Sequence, residues 1–233
     1  MTAKATTMAS PEKIIEDALQ KGEKSLSEYD SKRVLAAYGI PVTLEKTVKN
    51  KNDAVSAAKE IGYPVALKGS GEQLSHKTEL DLIDLDLNND ESVSRSFERL
   101  VNRTDVKVDE VLVQQMVKGT RELMAGLIRD KHFGPCVMFG LGGIFTEILQ
   151  DISFRAAPLS KWDTIQMMAE IRGKKIMDAF RGKPPVNREA LASILSKIGE
   201  IGLVHKQIIE IDINPLKLID GNPVAVDALI VLK

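Results

Sequence analysis

At 233 residues, with 28% of them charged and a formal net charge of −1, the chain carries no basic excess for nucleic acid. No apolar run approaches the roughly 18 residues that cross a bilayer, and Met1 to Thr7 lack the apolar segment of a secretory signal, so no membrane partner is expected and the expected compartment is cytoplasmic. One cysteine, Cys136, excludes an internal disulfide, and its neighbours Val137 and Met138 mark it as a small core residue.

The length suggests one large unit or two interlocked lobes. Residues 1–10 are small and polar and read as a disordered lead-in. Pro11 opens a helix that runs to about Lys21, and a second starts near Ser27, has Glu28 in its first turn and stops at Gly39. Ile40-Pro41-Val42 leads into a strand, Asp53–Ile61 forms a helix ended by Gly62, and Tyr63-Pro64-Val65-Ala66-Leu67-Lys68 is a short strand running into a polar loop. Residues 82–87 alternate apolar and acidic as a strand does, and 90–103 form a helix. Five strands are expected at 110–117, 121–129, 136–141, 145–150 and 153–158, with turns at Lys118-Gly119, Asp130-Lys131 and the glycines 140, 142 and 143. Helices at 161–170, 174–181 and 187–206 precede a closing hairpin over 207–231. Strands and helices mix without strict alternation, so the expected class is α+β with mainly antiparallel sheet.

That hairpin carries the strongest chemical signal. Ile209, Ile211 and Ile213 alternate with Glu210, Asp212 and Asn214, which turns an apolar side to a core and three oxygen-bearing side chains the other way. A two-residue turn at Asp220-Gly221 sets Asn214 directly opposite Asp227, whereas a turn at Gly221-Asn222 shifts the partner by two and keeps both on one face. Cross-strand partners have Cβ atoms roughly 4.5–5.5 Å apart, close enough to share a hard cation such as Mg2+. A plain hairpin with one solvated face alternates in the same way.

A magnesium site suggests a nucleotide, yet neither GxxxxGK[ST] nor GxGxxG occurs. Two other segments offer phosphate contacts: Lys68-Gly69-Ser70-Gly71, and the run from Gly140 through Gly142 and Gly143 to Glu147. His76, in the polar loop Ser75-His76-Lys77-Thr78, is a candidate phosphoryl acceptor or a solvated loop histidine. His132 reads as turn surface, and His205 as a helix-terminal residue.

Taken together, the segments Leu35–Val42, Tyr63–Lys68, Ser75–Glu79, Arg121–Gly126, Phe133–Pro135, Phe139–Phe145, Arg181–Pro185 and Glu210–Leu216 resemble the ATP-grasp (β) subunit of ADP-forming acyl-CoA synthetases, the acetate–CoA ligase family. They occur in family order from about residue 25 to the carboxyl end. The resemblance implies an ATP-grasp fold over 11–233, with a small lobe near 27–110 and the remainder in 111–233. It implies that a carboxylic acid, CoA and ATP become acyl-CoA, ADP and phosphate through phosphohistidine and acyl phosphate. It further implies that Lys68 holds ATP phosphates, Glu122 faces the nucleotide, the stretch Gln114 to Val117 borders the adenine, and Asn214 with Asp227, assisted by Asp212, binds Mg2+. His76 corresponds to the family's relay histidine. The chain departs from the family pattern at Asp81-Leu82, where members usually carry two glycines. With no dinucleotide-type CoA-binding unit present, a CoA-binding α subunit is the implied partner, in an α2β2 assembly. The alternatives are a free-standing ATP-grasp carboxylate–amine ligase and a non-catalytic nucleotide-binding subunit.

Overall fold

The computed structural model describes residues 9–70, 82–143 and 150–233. Ser10 is no part of a loose lead-in: its side chain accepts from the Lys13 amide and caps α1 (Pro11–Gln20), with proline at the start of the helix where no amide partner is needed. Ser27 caps α2 (Glu28–Ala37) in the same way, and Gly39, at φ 72°, turns the chain out of it. The segment after Gly39 bonds to the far end of the chain, with Ala225 N–H donating to Pro41 O at 2.9 Å and Thr43 N–H to Ala225 O at 3.2 Å.

The smaller lobe comprises β1 (Glu45–Val48), α3 (Lys51–Ile61), β2 (Val65–Ser70), β3 (Ile83–Leu87), α4 (Asp90–Val101) and β4 (Glu110–Gln115). Its sheet has the order β1-β4-β2-β3. One core, including Ala54, Ala58, Val65, Leu67, Phe97 and Val111, sits between the two helices and this sheet. Helix α2 does not belong there: Val34 and Leu35 join the other core. We therefore place the smaller lobe at 45–115 rather than 27–110, because burial follows the apolar stripe of α2 and not its position in the chain. Leu82 is fully buried in this lobe and its carbonyl accepts from Gly69 N–H at 2.8 Å.

The larger sheet contains β5 (Glu122–Asp130), β6 (Gly134–Leu141), β7 (Ile152–Ala156), β8 (Ile208–Ile219), β9 (Asn222–Ala225) and β10 (Leu229–Leu232). Its order is β10-β8-β5-β6-β7, with β9 also on β8. Every ladder among the described residues is antiparallel, as the α+β reading expects. One face packs on α1, α2, α5 (Lys161–Glu170) and α6 (Arg188–Val204) around a core that includes Leu123, Leu127, Phe139, Ile198 and Ile211.

Four local expectations change. The stretch 174–181 is only a 3-10 turn over Lys174–Met177, since Met177 is buried and its carbonyl is taken by Val186 N–H, after which Phe180 and Lys183 pair across a tight bend. Ile209 is 37% exposed and Ile208 takes its place in the core, because the pairing of β10 with β8 shifts between Val231 and Leu232. The closing segment is no simple hairpin, since β9 and β10 are separate strands on one partner. Of the strand expected at 145–150, residues 145–149 lie outside the described residues, as does the loop bearing His76. Cys136 is half-buried on β6, paired with Ile128 and Ala156, rather than in the core.

Candidate functional site

The turn at Asp220-Gly221 forms as expected, both residues at positive φ, with Ile219 opposite Asn222 and Leu216 opposite Ala225. The ladder then opens. Val226 N–H bonds to Pro215 O at 3.1 Å, and pairing resumes with Leu229 opposite Asp212 and Ile230 opposite Ile211. The register is the same on both sides of the gap, so Asn214 and Asp227 occupy equivalent positions across it. On the other edge of β8, Ala125 pairs with Ile213 and Leu123 with Leu216, so Asn214-Pro215 form a bulge there too. The bulge lifts Asn214 out of both ladders, and its side-chain oxygen accepts from Gly143 N–H at 3.2 Å.

Gly143 has a left-handed φ of 63°, and a Cβ there would collide with the Glu122 carboxylate. Gly142 N–H donates to Glu122 O at 2.9 Å. Both amides are thus directed at protein acceptors, and they brace Asn214 and Glu122. Glu122 itself pairs with Lys217 at 3.2 Å, directly across the ladder.

The second half of the site lies between the lobes. Lys68, on β2, is buried, and its ammonium donates to Glu28 Oε1 at 2.7 Å while lying 3.6 Å from Asp227 Oδ2. Burial opposes that charge, but Glu28, then Asp227 and Glu45, hold the lysine above its usual range. Lys32, 1% exposed, donates to Glu28 Oε1 at 3.0 Å, Thr43 Oγ1 at 3.3 Å and Val226 O at 3.0 Å, and pairs with Glu45. Burial pushes the Glu45 carboxyl up to about 7 despite Lys32.

Gln114 also reaches into this junction. Its Nε2 donates to Val226 O at 2.6 Å and Thr43 Oγ1 at 2.9 Å, and its Oε1 meets no partner among the described residues. Gln115, Met116 and Val117 line a cavity of about 470 Å³ together with Lys183, Pro184 and Ile219 to Gly221. Arg121 ties these walls together, donating to Asp178 O at 3.2 Å and Pro184 O at 2.8 Å.

The donor set Asn214, Asp227 and Asp212 fits a hard divalent ion by its chemistry. Among the described residues no three His, Cys, Asp or Glu side chains gather as a ready metal cluster. Burial, then the neighbouring carboxylates Glu210 and Asp227, push Asp212 up to about 6. A cation relieves such crowding, which at roughly 4 Å and an effective dielectric near 20 is worth about 4 kcal/mol per pair. The amide oxygen of Asn214 has a second lone pair beyond the one Gly143 uses.

His205 is buried, bonded to Tyr38 Oη at 2.8 Å, and pushed down by burial, so it fastens α6 to α2 as a neutral ring and does not serve the helix end as a cation. Glu28, Lys32, Thr43 and Glu45 were not singled out as site residues by sequence. The signal was present: Glu28, Ser31, Lys32 and Leu35 share one buried helix face, and a charged pair on a core stripe needs partners.

A family model for the ATP-grasp domain matches residues 17–232. The chain is 42% identical to the beta subunit of acetate–CoA ligase (ADP-forming) I of Pyrococcus furiosus, over 97% of this chain and 99% of that one. It superposes with a TM-score of 0.92 and 37% identity on the dinucleotide forming acetyl-coenzyme A synthetase 1 of Ca. Korarchaeum cryptofilum in complex with coenzyme A, Ca-AMPCP and HgCl+, covering 96% of this chain and 100% of that chain. Another structure of that synthetase, with coenzyme A and Mg-AMPPCP and its phosphohistidine segment pointing towards the nucleotide binding site, matches at 0.87 and 37% identity with the same coverage.

Proposed function

The chain belongs to the ATP-grasp family, among the β subunits of ADP-forming acyl-CoA synthetases, and from that premise we propose that it is the ATP-binding subunit of such a ligase. The reaction joins a carboxylic acid to CoA as ATP becomes ADP and phosphate. It works with a CoA-binding α subunit, in an α2β2 assembly, in the cytoplasm. No helix among the described residues is long and apolar enough to cross a membrane.

What supports the residue assignment is the register shared by the ladders on either side of Asn214 and Asp227, together with the approach of Lys68 to Asp227 across the lobes. Mg2+, when bound with ATP, neutralises phosphate charge. Asn214, Asp227 and Asp212 are the residues that would hold it. Lys68 presents its ammonium to the phosphates, and Val117 with its neighbours forms the wall against which the base lies. Gln114, Gly142, Gly143 and Glu122 act by bracing these groups.

The loop imidazole of His76 takes the phosphoryl group. Its nitrogen forms the P–N bond as the P–O bond to ADP breaks, and the group is then passed on for acyl phosphate formation. Attack by the CoA thiol on the acyl carbonyl releases phosphate and gives the acyl-CoA. Phosphoryl transfer depends on positioning and charge neutralisation, so these groups account for the subunit's share of the chemistry.

The test supplies γ-labelled ATP, acid and CoA to the complete enzyme carrying His76→Ala or Asp227→Asn. The reading expects both variants to fold and lose turnover, with no label on the His76→Ala chain; undiminished turnover in either removes that residue's role. The relatives join acids to CoA, which leaves the carboxylate–amine ligase without support.

A further inference from the structure

Two buried lysines stand side by side at the lobe junction and differ in how their donors are used. An ammonium has three N–H groups. Lys32 spends them on Glu28, Thr43 and Val226 O, with Glu45 also against it, so it has nothing left to offer a ligand. Lys68 makes one hydrogen bond among the described residues, to Glu28 at 2.7 Å, and at 3.6 Å from Asp227 Oδ2 it is beyond hydrogen-bond reach of that carboxylate. The acceptor common to both lysines is one atom, Glu28 Oε1.

Glu28 stands on the first turn of α2, whose Val34 and Leu35 are fixed in the larger core, while Lys68 stands on the smaller sheet. The anchor of the Lys68 ammonium therefore comes from the opposite lobe. We infer that Glu28 is a positioning residue for nucleotide binding: through its carboxylate the larger lobe sets where the Lys68 ammonium stands relative to Asp227. Lys32 holds that carboxylate in place, so α2 acts on the phosphate site without touching it. A buried carboxylate held between two ammonium groups keeps its rotamer, which a flexible lysine stem alone cannot ensure.

This inference rests on the reading of Lys68 as a phosphate holder, and the experiment separates the two. Binding of AMPPCP with Mg2+ to the full chain is measured by calorimetry for wild type, Glu28→Gln, Lys68→Met and the double variant, with folding checked by thermal unfolding. Glu28→Gln is expected to weaken binding roughly tenfold or more in the wild-type background. In the Lys68→Met background it should change binding by less than about twofold, because its effect passes through that lysine. An equal loss in both backgrounds, or none in the wild type, overturns the inference while leaving Lys68 in its role. Unchanged binding in Lys68→Met alone overturns both. Should Glu28→Gln not fold, Glu28→Asp, which keeps the charge and shortens its reach, is carried through the same cycle with the same criteria.

Discussion

The carboxyl-terminal strands and the lobe junction each supply charged groups to one site, by opposite means. Around Asn214 and Asp227 the placement is local: a two-residue turn sets the register, and the register sets which side chains face. At the junction nothing is local, since Lys68 meets Glu28 from forty positions away and Lys32 meets Val226 from 194. The carboxylates of the first region are partly open to water, Asp227 at 43% side-chain exposure, whereas Lys32, Glu28 and Glu45 are almost entirely withdrawn. Function and stability should therefore separate in the strands and remain joined in the junction.

The sharpest way to break this contrast is Lys32→Met, which takes an ammonium partner from two buried carboxylates, Glu28 and Glu45. It is expected to destabilise the chain by about 3–5 kcal/mol in denaturant unfolding, and a loss below about 1 kcal/mol would place the junction on the same footing as a surface pair. Asp227→Asn should do the reverse, lowering turnover about 10²–10³-fold while the unfolding midpoint barely moves. A large shift in that midpoint would erase the difference between the regions.

Acidity supplies a third test. Glu45 faces Lys32 and Glu28 on α2, Lys68 on β2 and the Thr43 hydroxyl, and burial raises it from an ordinary 4.5 to about 7. The folded state thus holds this proton more tightly than the unfolded one. Its contribution is fully present below about pH 4.5 and is lost as pH rises through 7, by roughly 3 kcal/mol in all. Glu45→Gln should flatten that part of the stability profile measured from pH 5 to 8; an unchanged slope would mean that Lys32 keeps Glu45 ionised throughout. The smallest effect concerns register: Ile208→Val is expected to destabilise by about 1 kcal/mol and Ile209→Val by almost nothing, and the opposite order would contradict the bulge in β8.

Legibility followed the same division. Helix caps at Ser27 and Gly39, the strand ending in Lys68, and the turn at Asp220-Gly221 could be read because each rests on neighbours in the chain. The reading slipped at Ile209, where a one-residue bulge reverses the facing of the strand. It passed over Glu28 and Lys32, since an acid and a base four apart on a helix look like a surface pair until the helix is packed.

By itself, then, the order of residues determined the antiparallel character of the sheets and the register set by the turn at Asp220-Gly221, because backbone pairing and turn geometry act over a few residues. The tertiary structure alone decided which lysine was saturated by protein acceptors and which, among the described residues, retained donors, and which lobe held the anchor of Lys68. Those outcomes depend on burial, and a buried charge takes its partners from whatever the packing of distant segments brings within reach.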